Sequence, residues 1–255
     1  MTSFAELQLV YRDEDLLVIH KPAGLLVHRT TLDAHETDTV LDRLRAQLGP
    51  GTPPGLAPAH RLDKGTSGLL VLACHADAAR ALGAAFDAGA VAKRYLALVR
   101  GWPAEQMDLD HPLARDPEQP STGQLQLPAR TLFQRLARVE WPFAVGTQHP
   151  TSRYALVEAR PLTGRRHQIR RHLKHLAHPI VGDSTHGKGP HNRAVAAWLG
   201  VNRLWLHAIE LRLPHPADGR LLHFAAPPGK EWTALRARGA WVDDEGAHAA
   251  VPALD

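Results

Sequence analysis

His60-Arg61-Leu62-Asp63-Lys64-Gly65-Thr66-Ser67-Gly68 runs straight into Leu69-Leu70-Val71-Leu72-Ala73, and the fold is decided at this junction. Five consecutive apolar residues bounded by turn formers suit a strand covered on both faces. The Gly/Thr/Ser-rich turn before them sets one carboxylate beside two cations at the mouth of that strand. Asp63 is therefore expected at the edge of a rigid sheet, where a reactive group can be held in place. The plainer alternative is that Asp63 caps the turn and pairs with Arg61 or Lys64, since Asp is a favoured turn residue.

Working outward, Leu7 to Val10 and Leu16 to His20 read as the arms of a hairpin turning at Arg12-Asp13-Glu14. Val40, Leu41, Leu44 and Leu48 recur at 3- and 4-residue spacing and predict a helix over Thr39 to Leu48. Gly49 to Pro58 is a Pro/Gly-rich loop. After the strand Leu69 to Cys74, an Ala-rich helix is expected over Asp77 to Ala88, stopped by Gly89, and then a strand over Val91 to Val99. Residues 102–150, rich in Pro, Gln and Thr, suggest loops and small strands. Thr163-Gly164 is placed to open a further helix, with Ile169, Leu173 and Leu176 on one face and Arg166, Arg170 and Lys174 on another. Gly182 to Arg193, with three glycines plus Lys188, His191 and Arg193, reads as a mobile basic loop. From about Glu231 onward the composition thins into a poorly packed tail. Strands alternating with helices give an α/β (α+β) chain.

The 255 residues are enough for a sizeable core. Thirty Lys+Arg against 26 Asp+Glu leave +4, with a pI near 9.5. That balance says little about partners. Its distribution says more, because Arg165, Arg166, Arg170, Arg171 and Lys174 crowd into one short stretch. A single Cys excludes an internal disulfide framework and fits a reducing compartment. No apolar run approaches the ~20 residues that span a bilayer, and the start of the chain does not read as a signal peptide. A soluble cytoplasmic protein with no membrane partner is expected. Four histidines (His167, His172, His175 and His178) raise the possibility of zinc. However, paired cysteines, a His-Glu-x-x-His and a separate carboxylate cluster are all missing, so no metal is expected.

His60 to Gly68 resembles the catalytic motif of the RluA family of pseudouridine synthases. Other stretches follow in the family's order: Tyr11 to His28 with its Leu-Leu-Val-Ile-His-Lys-Pro, Lys93 to Gly101, Leu162 to Arg170, and His178 to Asp183. The resemblance covers roughly residues 8–230. It implies a pseudouridine synthase fold, a mixed, mainly antiparallel sheet with a central catalytic cleft. It also implies one catalytic domain over residues 1–230, with no S4-type RNA-binding domain and a tail over 231–255. A narrower likeness, carried by Arg165 to Leu173, Gly182 to Gly189, Asn192-Arg193 and Leu204 to Ala208, points to members acting on uridine 65 of tRNA. A ribosomal RNA target, another tRNA site and a non-catalytic RNA-binding protein of the same fold stay open.

Isomerising uridine means breaking the N1–C1′ bond, turning the held uracil and joining C5 to C1′. Nothing is oxidised or hydrolysed overall, so no cofactor is implied. A carboxylate serves as nucleophile, or as base at the sugar in a glycal route, and the resemblance assigns this role to Asp63. It assigns Arg170 as the cation that keeps Asp63 ionised in a desolvated pocket. Tyr95 is the residue expected to stack on the uracil and move the C5 proton, although Tyr also suits a strand core. Arg61 is expected to fill the gap left by a flipped base, and Ile169 to lie near that base. Arg165, Arg166, Lys174, Lys188 and Arg193 are expected phosphate contacts, unless they are only a solvated charged face. The implied partner is tRNA, bound by a monomer with no protein partner.

Overall fold

The computed structural model describes residues 5–29 and 37–245. Its elements in chain order begin with β1 (Gln8–Arg12), β2 (Leu16–Lys21), α1 (Val40–Leu48), β3 (Ala57–Pro58), β4 (Ser67–Ala73) and α2 (Ala76–Asp87). They continue with β5 (Ala92–Arg100), β6 (Gln106–Asp110), β7 (Leu113–Ala114), β8 (Gln126–Leu127), β9 (Arg130–Trp141) and β10 (Ser152–Pro161). Then come α3 (Gln168–His175), α4 (Gly189–Leu199), β11 (Leu206–Pro214), β12 (Leu221–Ala225), α5 (Lys230–Arg236) and β13 (Val242–Asp243). Among the described residues no helix is long and apolar enough to cross a membrane.

The chain forms two compact units. One holds the residues up to Ala92 with Glu210–Ala226, and the other holds Lys93–Ile209 with the chain from Pro227. Strand β11 belongs to both, changing unit between Ile209 and Glu210.

In the first unit β1, β2 and β4 pair antiparallel, Ala57-Pro58 pairs with the end of β4, and β12 pairs with Glu210–Pro214. Every residue of β4 is buried, as its uninterrupted apolar run predicts. Leu16, Val18, Leu69, Val71, Leu82, Leu211, Leu213 and Phe224 form the core. The expected hairpin is present, and Asp13 makes its turn. One Asp13 oxygen accepts the N–H groups of Asp15 (2.9 Å) and Leu16 (2.8 Å). The other accepts the Tyr11 hydroxyl at 2.6 Å and lies 2.9 Å from Nε2 of buried His215. Helix α1 starts where its spacing predicts, with Thr39 Oγ1 accepting the Asp42 N–H.

In the second unit the order is β5–β10–β9–β13, antiparallel throughout, with β6 on β9. Leu96, Leu98, Tyr154, Leu156, Trp141, Trp205 and Trp232 share one core. Several expectations are corrected here. Residues 102–150 contain a twelve-residue strand, β9, hidden in the sequence because Phe133, Leu136, Val139 and Trp141 are spaced three, three and two apart and so depart from strict alternation. A shift of register opposite Leu156/Val157 further blurs that alternation. The expected mobile loop at 182–193 is a tight turn leading into α4, whose first turn holds Pro190 and which carries His191 and Arg193. Glycine is required at 182: φ is +79°, and a Cβ there would stand 1.7 Å from the Arg203 carbonyl oxygen. Of the tail expected over 231–255, residues 231–245 are anchored to the second unit, and residues 246–255 lie outside the described residues. Trp232 and Leu235 enter the core from α5, Val242-Asp243 pairs with β9, and Asp244 is buried against Arg135 at 2.7 Å. Two apolar residues three apart outweigh the Ala, Gly and acidic residues around them.

Candidate active site

The loop from His60 to Thr66 is built from the main chain. His60 Nε2 accepts the Val71 N–H at 3.1 Å, and its ring stacks on Phe86 with centroids 4.7 Å apart. Leu62 is buried. The Asp63 carbonyl accepts the Thr66 N–H at 3.0 Å, which closes a tight turn and leaves the Asp63 side chain half-buried, with Arg61 exposed before it. The Lys64 carbonyl accepts the Gly24 N–H at 2.8 Å. Beneath the loop lies Lys21, fully buried at the end of β2. Its ammonium donates to the carbonyls of Leu25 (2.7 Å), Pro22 (2.9 Å) and Lys64 (3.1 Å). An ammonium without water is costly unless its donors are satisfied, and here three carbonyl dipoles satisfy it. Lys21 thus ties the turn after β2 to the residue next to Asp63. Sequence reasoning gave it no role, although it stands in the quoted His-Lys-Pro stretch.

Arg170 is held differently. Its Nε and Nη2 donate to the two oxygens of Asp183 at 2.7 and 2.8 Å, with both side chains buried. One Asp183 oxygen also accepts the N–H groups of His186 (2.8 Å) and Thr185 (2.9 Å). Burial pushes the Asp183 carboxyl upward, but the Arg170 hydrogen bond and charge and these two amides outweigh it, so it stays below the usual carboxylate range. A guanidinium carries five N–H donors, so the pair engages one edge of the Arg170 fork. One acidic partner of Arg170 is thus Asp183, which sequence reasoning passed over although it ends the stretch His178 to Asp183.

Helix α3 does not open at Thr163-Gly164 as expected. It starts at Gln168, after His167 in a left-handed conformation (φ 56°). The Gln168 side chain explains the delay. Its oxygen accepts from the Thr163 hydroxyl and the Arg165 N–H, and its amide donates to the Arg130 carbonyl and Thr131 Oγ1. Those bonds pin residues 163–165 to β9 and leave the helix to begin beyond them. Ile169 and Leu173 are buried as predicted. Tyr95 is buried on β5, opposite Ala159 of β10. Strand alternation turns it away from Leu96 and Leu98, which belong to the second unit's core.

The expected phosphate contacts divide into two groups. Arg166 pairs with Asp116 and Glu118, and Arg165 donates to the Pro128 carbonyl. Lys174, Lys188 and Arg193 are exposed. The histidines considered for zinc have separate duties. His172 bonds Thr131 and the His111 carbonyl, His175 stacks on His111, His178 bonds the Arg100 carbonyl, and His167 meets His186 at 3.0 Å. Among the described residues, Asp13, Asp15 and His215 cluster closely enough to suit a cation. However, His215 Nδ1 accepts the Ala217 N–H, so Nε2 carries the hydrogen it gives to Asp13. That leaves no lone pair there for a metal.

Residues 15–175 match the family of RNA pseudouridylate synthases. The chain belongs to that family. It is 42% identical over 240 residues to tRNA pseudouridine synthase C of Vibrio vulnificus, covering 92% of this chain and 96% of that one. It is 40% identical over 240 residues to the protein of the same name from Yersinia pestis, covering 92% and 91%. The fold resembles Human RNA Pseudouridylate Synthase Domain Containing 1, with a TM-score of 0.68, 29% identity and coverage of 89% and 86%. Human RNA Pseudouridylate Synthase Domain Containing 4 is similar at 0.67 and 26%, covering 90% and 93%. The mixed α/β, mainly antiparallel architecture expected from the sequence is therefore the pseudouridine synthase fold, and the chain is an RNA isomerase of that family.

Proposed function

We propose that this pseudouridine synthase acts on tRNA and isomerises uridine 65, with Asp63 as its reacting carboxylate. The observation that carries this reading is the near end-to-end likeness to proteins named tRNA pseudouridine synthase C, over more than nine-tenths of either chain. Asp63 stands at the closed turn feeding β4, where the main chain fixes its position. Asp63 attacks C1′ or takes the C2′ proton as the N1–C1′ bond breaks. The freed uracil turns in place, C5 bonds to C1′ as the Asp63 ester is displaced or the C2′ proton is returned, and the C5 proton is then lost while N1 gains one. Tyr95 supplies a stacking face for the uracil and a hydroxyl for that last proton. Arg170, oriented by Asp183, balances the charge of Asp63, and guanidinium suits this because it stays protonated. Ile169, next to Arg170 on α3, packs against the base.

A uridine in a paired stem must leave its stack at a cost of a few kcal/mol, and Arg61, exposed beside Asp63, is assigned to the space it vacates. Lys174, Lys188 and Arg193 are assigned to phosphates, together with Arg165 and Arg166 where RNA competes for their present partners. The reaction needs no cofactor, and the protein acts as a cytoplasmic monomer. The test is to map pseudouridine in total RNA from cells with and without the gene, and in tRNA treated with purified protein. Loss and restoration at tRNA position 65 is expected. Loss confined to ribosomal RNA or to another tRNA position overturns the assigned target.

A further inference from the structure

Lys93 is a partly buried lysine for which the described residues supply no hydrogen-bond or ion-pair partner. It is half-buried on β5. Burial pulls its ammonium below the usual lysine range, with no neighbouring charge contributing. Among the described residues no hydrogen bond or ion pair engages its Nζ. The contrast with Lys21, whose buried ammonium meets three carbonyls, is direct. Its neighbour Arg94 is equally well provided for, because its guanidinium grips the fully buried Glu158. Strand alternation puts Arg94 and Leu96 on one face of β5, and Lys93 and Tyr95 on the other.

A partly desolvated cation with no partner among the described residues gains from an anion that arrives with the substrate. RNA brings one such anion per nucleotide. We propose that Lys93 is a substrate-binding residue whose ammonium takes a backbone phosphate of the nucleotide whose base meets Tyr95. The proposal rests on the reading that Tyr95 faces the target uridine. Residues two apart on a strand stand roughly 6.5 Å from one another, so ring and ammonium address different parts of one nucleotide. Lysine, a compact point charge, suits a phosphate rather than the planar edge of a base.

The experiment measures tRNA binding across a salt series in an Asp63→Asn background, where no turnover intervenes. Lys93→Met should weaken binding several-fold and lower the slope of log affinity against log salt by about one unit. Lys93→Arg should restore the slope. With Asp63 intact, Lys93→Met should raise KM while leaving kcat within about threefold, the pattern of lost ground-state binding. If methionine at 93 prevents folding, Lys93→Gln is read the same way. An unchanged slope overturns the proposal, as does a fall in kcat with unaltered binding, which would put the ammonium on the uracil. Wild-type protein that makes no pseudouridine overturns the functional reading. Wild-type turnover with an unmoved slope overturns only the role of Lys93.

Discussion

In the first unit the loop carrying Asp63 is held by main-chain carbonyls gathered round a buried ammonium. In the second, the start of α3 is held by a buried carboxylate gripping a guanidinium. The two devices solve different problems. Carbonyl dipoles satisfy Lys21 from three directions and join chain segments 43 residues apart in sequence, Lys21 and Lys64. They fix where the loop lies but supply no opposite charge. The Asp183–Arg170 pair is bidentate and planar, so it fixes how the guanidinium is turned as well as where it sits. In the proposed reaction, a carboxylate reaching a sugar carbon needs a rigid backbone beneath it, and a cation serving a second anion needs its plane defined.

The sharpest way to break this comparison is at Asp63. Asp63→Asn keeps the size and the backbone turn while removing the anion. We expect no detectable pseudouridine formation, with tRNA binding largely retained. Activity within tenfold of wild type would remove Asp63 from the chemistry.

The two anchors come next. Asp183→Ala removes a bidentate buried partner from the Arg170 guanidinium, and loss of one partner of a buried pair typically costs about 3–5 kcal/mol. Urea denaturation should show that loss, and kcat should fall with it. Lys21→Met leaves the carbonyls of Pro22, Leu25 and Lys64 without their ammonium donor. Its expected cost is about 2 kcal/mol, in the range of a hydrogen bond to a charged group. A larger loss for Lys21→Met than for Asp183→Ala would reverse the ranking of the two devices.

Asp13 sharpens the account of the first unit. Burial pushes its carboxyl up, yet bonds from Tyr11, the Leu16 amide, His215 and the Asp15 amide outweigh that and hold it at about 2, below the ordinary 3.8. A carboxyl with a lowered folded-state pKa contributes stability that is present above the ordinary value and lost as pH falls toward the folded one. Acid denaturation followed between pH 4 and pH 2 should therefore be less steep for Asp13→Asn. An unchanged profile would mean that other carboxylates carry the acid sensitivity. The smallest effect is expected from Lys174→Ala, where one exposed cation is removed. The salt slope of tRNA binding should drop by about one unit without a change in kcat, and a loss of kcat would show that α3 had been disturbed.

Much of the fold was legible in the residues. The apolar run of β4, the hairpin around Asp13, the Thr39 cap of α1 and the buried Ile169/Leu173 face of α3 are local patterns, set by periodicity and turn chemistry within a few residues. The order of the family stretches likewise carried the pseudouridine synthase fold and pointed to Asp63, Tyr95 and Arg170. What the chain order left open is what depends on partners far apart in sequence. Whether Arg165 and Arg166 present themselves to solvent or bind Pro128, Asp116 and Glu118 is settled by where those loops pass. The same holds for Trp232, which composition assigned to a loose tail and packing placed in a core. Lys21 and Asp183 were visible as letters, but their work was not, because a buried charge acquires its role from the groups the fold closes around it.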